Sequence, residues 1–191
     1  KIGTEHEKFG YRRVDLGPLQ YSGACSIESI LTGLIETFGW LPMLEDDQLI
    51  GLFKDGANIS LEPGGQLELS GALLDNVHQT CMEVANHLAE VKTIADRIGA
   101  GFIGLGAAPV WKHADMPIMP KGRYKLMAPY MDKVGSHGTQ MMFRTCTVQV
   151  NLDYSSEADM IKKLRVGLAL QPIATALFSA SPFFEGRKTG Y

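Results

Sequence analysis

The chain is short of most features that would place a protein at sight. Cysteine is scarce: Cys25, Cys81 and Cys146 are the three in 191 residues, far apart and with no C-x-x-C pair. That excludes a disulfide framework or a structural zinc site and predicts a reducing compartment. An excess of one charge is lacking too. A net charge of −3 and a pI near 6.0 leave no basic stripe for nucleic acid or an anionic membrane surface. No apolar run approaches the roughly 20 residues of a membrane-spanning helix. There is no Walker A loop and no G-x-S-x-G elbow. Gly99-x-Gly101-x-x-Gly104 matches the dinucleotide fingerprint in letters only. It follows a helical pattern and enters a strand-like one, the reverse of what that fingerprint needs, so a helix cap and a tight strand explain these glycines better.

What is present is a chain with 45% hydrophobic and 20% charged residues, long enough for one domain with a real core. Its organising stretch is Ile59–Gly71, a short apolar strand, the break Pro63-Gly64-Gly65, then a strict alternation. Period two puts Gln66, Glu68 and Ser70 on one face and Leu67 and Leu69 on the other, with Glu62 just before the bend. The same design recurs at Ile2–Phe9, where Glu5 and Glu7 share a face and His6 points away. It recurs again in Met141–Asp153, which reads as the longest strand. There Met142, Arg144, Cys146, Val148, Val150 and Leu152 share one face, and Thr145, Thr147, Gln149, Asn151 and Asp153 the other.

Elsewhere the spacing predicts a helix over Ile27–Phe38, capped by Ser26 and stopped by Gly39. Strands at Gln48–Lys54 and Ile59–Leu61 are joined through Asp55-Gly56-Ala57-Asn58. A long helix starts after Asp75 or Asn76 and ends at Gly99, with Val77, Cys81, Val84, Leu88, Val91 and Ile94 on its apolar stripe. Cys81 reads there as a small core residue. A buried-type strand over Gly101–Gly106, a loop at Trp111–Gly122 and a short helix over Arg123–Met131 follow. A last helix runs from Glu157 toward Phe178, with a kink or break at Pro172. The fold class is α+β with a largely antiparallel sheet rather than a doubly wound parallel one.

Three polar strand faces meeting over one sheet supply oxygen ligands and little else. Hard cations such as Mg²⁺ take such donors and bridge carboxylates to substrate phosphates. The plain alternative is a wet sheet face with no ligand, and spacing alone leaves both open. Cys146 lacks a histidine partner and is not expected to be a nucleophile. Arg144, on an apolar face, reads as half of a buried ion pair; Trp111 and Tyr124 read as packing residues.

Gly3-Thr4-Glu5-His6-Glu7-Lys8-Phe9-Gly10, Ser60-Leu61-Glu62-Pro63-Gly64-Gly65-Gln66-Leu67-Glu68-Leu69-Ser70-Gly71 and His78-Gln79-Thr80-Cys81 are long, specific motifs. So are Met119–Tyr124, Arg144–Asp153 and Leu168–Ala174. Through them essentially the whole chain resembles plant-type glutamate–cysteine ligase, a form found in plants and many proteobacteria. The resemblance implies an ATP- and Mg²⁺-dependent enzyme that joins the γ-carboxylate of L-glutamate to the amine of L-cysteine through a γ-glutamyl phosphate, the first step of glutathione biosynthesis. It implies a glutamine synthetase-like catalytic domain, with metals and substrates held over a curved antiparallel sheet. Glu5, Glu7, Glu62, Glu68 and Gln149 are then the expected metal ligands, with Glu5, Glu7, Glu68 and Gln149 central to catalysis. Lys121, Arg123 and Asn151 are expected to hold substrate or phosphate. Glutamate, cysteine and ATP are the expected partners, with no nucleic acid and no membrane. The compartment implied is cytoplasmic, or the plastid if the source is a plant.

The family's cysteine matching Cys81 pairs with one much further along, and no such partner occurs here, so no redox switch is carried over. Residues 1–191 are expected to be part of a single catalytic domain, truncated at both ends and completed by the missing remainder of the chain. Two alternatives stand beside the ligase: a related carboxylate–amine ligase with another amine acceptor, and a non-catalytic domain that binds only metal or glutamate.

Overall fold

The structure, a computed structural model, describes residues 1–190. Its frame is a sheet of seven strands built on β1 (Ile2–Arg12), in which every pairing between strands is antiparallel. Along one side β1 pairs with β5 (Leu67–Ser70), followed outward by β4 (Ala57–Leu61), β3 (Gln48–Lys54) and β2 (Leu41–Glu45). β6 (Ala100–Ile103) pairs with the second half of β1, at Phe9–Arg12, and β7 (Val148–Leu152) with its first half, at Ile2–His6.

The two helices that cover the core end where local chemistry says they must. α1 (Ile27–Phe38) begins with Ser26 accepting from the Ser29 N–H at 3.1 Å and stops at Gly39, which is left-handed at φ 72°. α2 (Val77–Ile98) begins with the Asn76 side-chain Oδ1 accepting from the N–H groups of His78 and Gln79, each at 3.1 Å. Gly99, at φ 75°, ends it. Ile27, Ile30, Leu31 and Leu34 of α1 pack with Val91, Ile94 and Ala95 of α2 over Leu52, Ile59, Leu61, Leu67 and Leu69 of the sheet. The leucines of the alternating stretch therefore face the core, and period two sends Glu68 to the opposite face.

Several expectations need correction. Met141–Asp153 is not one strand: Gly138–Arg144 forms helix α4, and only Val148–Leu152 is extended. Met141-Met142-Phe143 is an unbroken apolar run, for which periodicity cannot separate helix from strand. The helix is fixed instead by a distant contact. The buried Gln66 amide donates to the carbonyls of Met142 and Thr145, at 3.2 and 2.8 Å, at the end where a helix leaves carbonyls unpaired. α2 covers the core only from His87 onward, so Cys81 is exposed, with Val77 on the same uncovered half, and Leu88 is exposed beyond it. β2 is an additional strand, joined to β3 by Asp46-Asp47 with both residues at positive φ, a primed turn made without glycine. β4 starts at Ala57, so the β3–β4 turn is Asp55-Gly56 alone.

α3 (Gly122–Val134) outlasts the expected helix. α5 (Glu157–Phe178) continues through Pro172 without a break, losing one backbone donor but not its neighbouring turns. A hairpin of β8 (Phe183–Phe184) and β9 (Arg187–Lys188) follows.

Candidate active site

The polar face of the sheet is laid out by register. Glu7 stands opposite Glu68, and Glu68 opposite Ser60. Glu5 lies between Ser70 on one side and Gln149 on the other. These pairings bring Glu5, Glu7, Glu68 and Gln149 to one face, as the alternation predicts. Their carboxylates are oriented by short polar side chains. Asn151 donates to Glu5 at 2.9 Å. Thr147 donates to Glu7 twice, from its backbone N–H at 2.9 Å and its hydroxyl at 3.1 Å. Ser70 donates to Glu68, and the Gln149 amide to the Thr147 hydroxyl at 3.0 Å.

Glu62 is carried in by the bend. The Glu62 N–H bonds to Gln66 O and the Gly65 N–H returns to Glu62 O, both at 2.9 Å. Gly65 sits at φ 81°, and a Cβ on Gly64 would lie 2.3 Å from the Phe143 carbonyl, so only glycine lets α4 come this close. Burial, then the charges of Glu68 and Glu7, push the Glu62 carboxyl up to about 7, against the pull of Arg123 at 3.7 Å. Glu7 is raised as well, by burial first, with its Thr147 hydrogen bonds opposing. Among the described residues, no three His, Cys, Asp or Glu side chains converge into a ready-made metal cage.

A cleft of about 370 Å³ opens between this face and helices α3 and α4. Glu7, Glu62, Gln66, Arg123, Thr147 and Gln149 give it polar groups; Tyr124 and three methionines, Met127, Met141 and Met142, give it an apolar wall. Arg123 leans over the Tyr124 ring, with Cζ 4.8 Å from its centre. Lys121 is buried beneath, its ammonium donating to Leu61 O at 2.8 Å while still sensing the charges of Glu62 and Glu68.

The remaining expectations sort by environment. Trp111 is packed edge-on to Phe9 and donates to Leu16 O at 2.8 Å. Arg144 is fully buried and pairs with Glu185 at 2.9 Å, as expected of a buried ion pair, though from a helix. Burial pushes the Cys146 thiol up, the opposite of what a nucleophile needs. Gln66 was legible only as a residue on a polar face; its grip on α4 spans 76 positions, and no local pattern carries that.

The family model described as glutamate-cysteine ligase family 2 (GCS2) matches residues 1–191. Over all 191 residues the chain is 58% identical to the chloroplastic glutamate–cysteine ligase of Medicago truncatula, 37% of whose length it covers. It is 59% identical to that of Nicotiana tabacum, covering 36%, and 58% identical to ligase A of Oryza sativa subsp. japonica, covering 38%. The chain thus spans a little over a third of the curated relatives it matches. With sequence and family model agreeing from end to end, the chain belongs to glutamate-cysteine ligase family 2.

Proposed function

We propose that these residues form the metal- and substrate-binding sheet of an ATP-dependent ligase that joins the γ-carboxylate of glutamate to the amine of cysteine. The observation that carries this is the in-register set Glu5, Glu7 and Glu68 beside Glu62, whose carboxyl is held up near 7 by burial and by the charges of Glu68 and Glu7. The donors are all hard oxygens, the set Mg²⁺ takes. Glu5, Glu7, Glu62 and Glu68 would hold the metal, with Gln149 completing the site. When bound, Mg²⁺ would offset phosphate charge during transfer.

In the reaction proposed, a γ-carboxylate oxygen of glutamate bonds to the terminal phosphorus of ATP as the bond to ADP breaks. The amine of cysteine, having lost its proton, then bonds to the acyl carbon and phosphate leaves. The chain's own part is alignment and charge. Asn151 and Thr147 fix the carboxylates of Glu5 and Glu7, and Arg123 offers a fork for a carboxylate or phosphate. Lys121 adds positive potential from below. The chloroplastic relatives favour the plastid for a plant source; in a bacterium the compartment would be the cytoplasm.

The test is product formation. The chain alone, and the Medicago truncatula relative with its matched segment replaced by this chain, are incubated with Mg-ATP, glutamate and cysteine. Mass spectrometry reads γ-glutamylcysteine against ADP. Product from the chimera, lost in Glu68→Gln with unfolding midpoint kept, supports the reading. Mg²⁺-dependent turnover that survives Glu68→Gln sinks the metal assignment. A Mg²⁺-induced rise in the unfolding midpoint of the chain, absent in Glu68→Gln, tests the metal site without turnover.

A further inference from the structure

We infer that Lys8 is a built-in counter-ion of the acidic face, a positioning residue that holds Glu7 and Glu68 together from behind the sheet. Its charge does part of the work of a divalent cation and competes with one. The inference rests on the metal-binding reading above. It goes beyond that reading by giving a role to a residue outside the cleft.

Period two turns Lys8 away from Glu5 and Glu7, to the side of the sheet on which α2 packs. His87 of α2, itself buried, senses the charge of Lys8 there. Lys8 is only 4% exposed, so its stem does not carry the ammonium out to water. The ammonium donates instead to the carbonyls of His6 and Leu67, both at 3.2 Å. Those carbonyls belong to the peptide groups that lead into Glu7 and Glu68, and the register sets Glu7 opposite Glu68. One side chain thus ties together the two peptide groups that carry the facing carboxylates.

Tying two strands does not call for a charge. Neutral donors make the same bonds, and burying an ammonium with no carboxylate beside it is costly. Among the described residues Lys8 forms no ion pair. Burial pulls its ammonium down to about 8 while Cys146, Glu68 and Glu7 oppose the pull, so near pH 7 the group is charged. His6 and His87 are both driven toward the neutral form, by burial first and Lys8 next, so neither shares that charge.

On the other side of the sheet the carboxylates repel one another. Burial raises Glu7 first, and the charges of Glu68 and Glu5 add to it. A fixed positive charge behind Glu7 and Glu68 offsets that repulsion. It also offsets part of their attraction for a divalent cation. The tie and the charge therefore pull a metal measurement in opposite directions, since a loosened pair of ligands binds more weakly and an unbalanced pair more tightly.

The experiment is Mg²⁺ titration of the chimera by calorimetry at pH 7, without nucleotide or amino acids. Lys8→Met is expected to bind Mg²⁺ about tenfold more tightly than wild type. Lys8→Arg, which keeps the charge, is expected to remain near wild type. Unchanged or weaker binding in a folded Lys8→Met overturns the counter-ion, because that is the result of a tie alone. Urea unfolding without metal supplies a second measurement if Lys8→Met is too unstable to titrate. Its midpoint falls in Lys8→Met and recovers in part when Glu68→Gln is added, since the second change relieves the repulsion the lysine offset. Additive losses overturn the proposal while leaving the metal site intact. A wild-type chimera that binds no Mg²⁺ overturns the metal reading, and the inference falls with it.

Discussion

Helices α1 and α5 are both rich in leucine and isoleucine, yet they meet opposite fates. α1 buries Ile27, Ile30, Leu31 and Leu34 completely, whereas none of the 22 residues of α5 is buried. α1 carries its apolar residues on one stripe, which the sheet covers. In α5, Ile161, Leu164, Val166, Leu168, Leu170, Ile173 and Leu177 point all round the helix and remain exposed. β7 repeats the contrast, with Val148, Val150 and Leu152 uncovered beside the core-facing leucines of β5. A helix apolar on every side suits the interior of a larger domain. We therefore read Ile2–Ile103, with Met119 and Tyr124 packed into it, as the part that closes a core, and β7 with α5 as the part whose apolar surface is left uncovered.

The largest effect should come from breaking the closed part. Leu34→Ala is expected to cost about 2–5 kcal/mol, since its fully buried side chain leaves a cavity between α1 and the sheet. Leu168→Ala, chemically the same change on α5, should stay within about 0.5 kcal/mol. Urea unfolding of both variants reads the difference. Equal losses would mean that α5 is packed and that the contrast is wrong.

Next comes the tie that holds the β8–β9 hairpin to α4 and the Trp111 loop. Arg144 donates to Gln140 at 2.7 Å, Glu185 at 2.9 Å and Trp111 O at 2.7 Å, with its guanidinium 3.9 Å from the centre of the Phe184 ring. Arg144→Leu removes the partner of a buried carbonyl and releases the β8–β9 hairpin. A loss of about 2–3 kcal/mol is expected. Limited proteolysis should cut first near Glu185, and no change in protection there would count against Arg144 as the tie.

A smaller effect separates the polar face from the core behind it. The Glu62 carboxyl is raised from 4.5 to about 7 in the folded chain, so the folded state binds this proton more tightly than the unfolded one. Its linkage therefore removes stability as pH rises from about 4.5 to about 7, and the contribution is restored on acidification. Glu62→Gln should flatten the profile in that window, as measured by urea midpoints across pH. If Glu62 is a metal ligand, Mg²⁺ should flatten it as well.

How much of this was legible depends on how local its cause is. Ser26 with Gly39, and Asn76 with Gly99, announce helix ends because capping bonds span only two to four residues. Glu68 is legible on a polar face because burying Leu67 and Leu69 leaves it no other, and Glu5 and Glu7 share a face by period two; their meeting with Glu68 comes from the β1–β5 register. α4 escaped because the carbonyls at its end are captured by Gln66, 76 positions away. The burial of Lys121 escaped for the same reason, its acceptor being Leu61 O across 60 positions.

Cys81 gives the smallest predicted effect and the sharpest use of the contrast within one helix. Periodicity puts it on the stripe with Val84, Val91 and Ile94, and six residues later His87 is 3% exposed with both ring nitrogens unpartnered. Burial, with Lys8 and His6 nearby, drives that imidazole down to about 2, so it stays neutral. α2 thus crosses from solvent to core within two turns, and the apolar stripe marks only the direction a side chain faces, not whether anything covers it. Cys81→Ser should accordingly change stability by no more than about 0.5 kcal/mol. Its thiol should react with a soluble disulfide reagent in the folded chain, while the buried Cys146 stays protected. Slow labelling of Cys81, at the rate of Cys146, would place the core boundary within the first turns of α2 and overturn this reading.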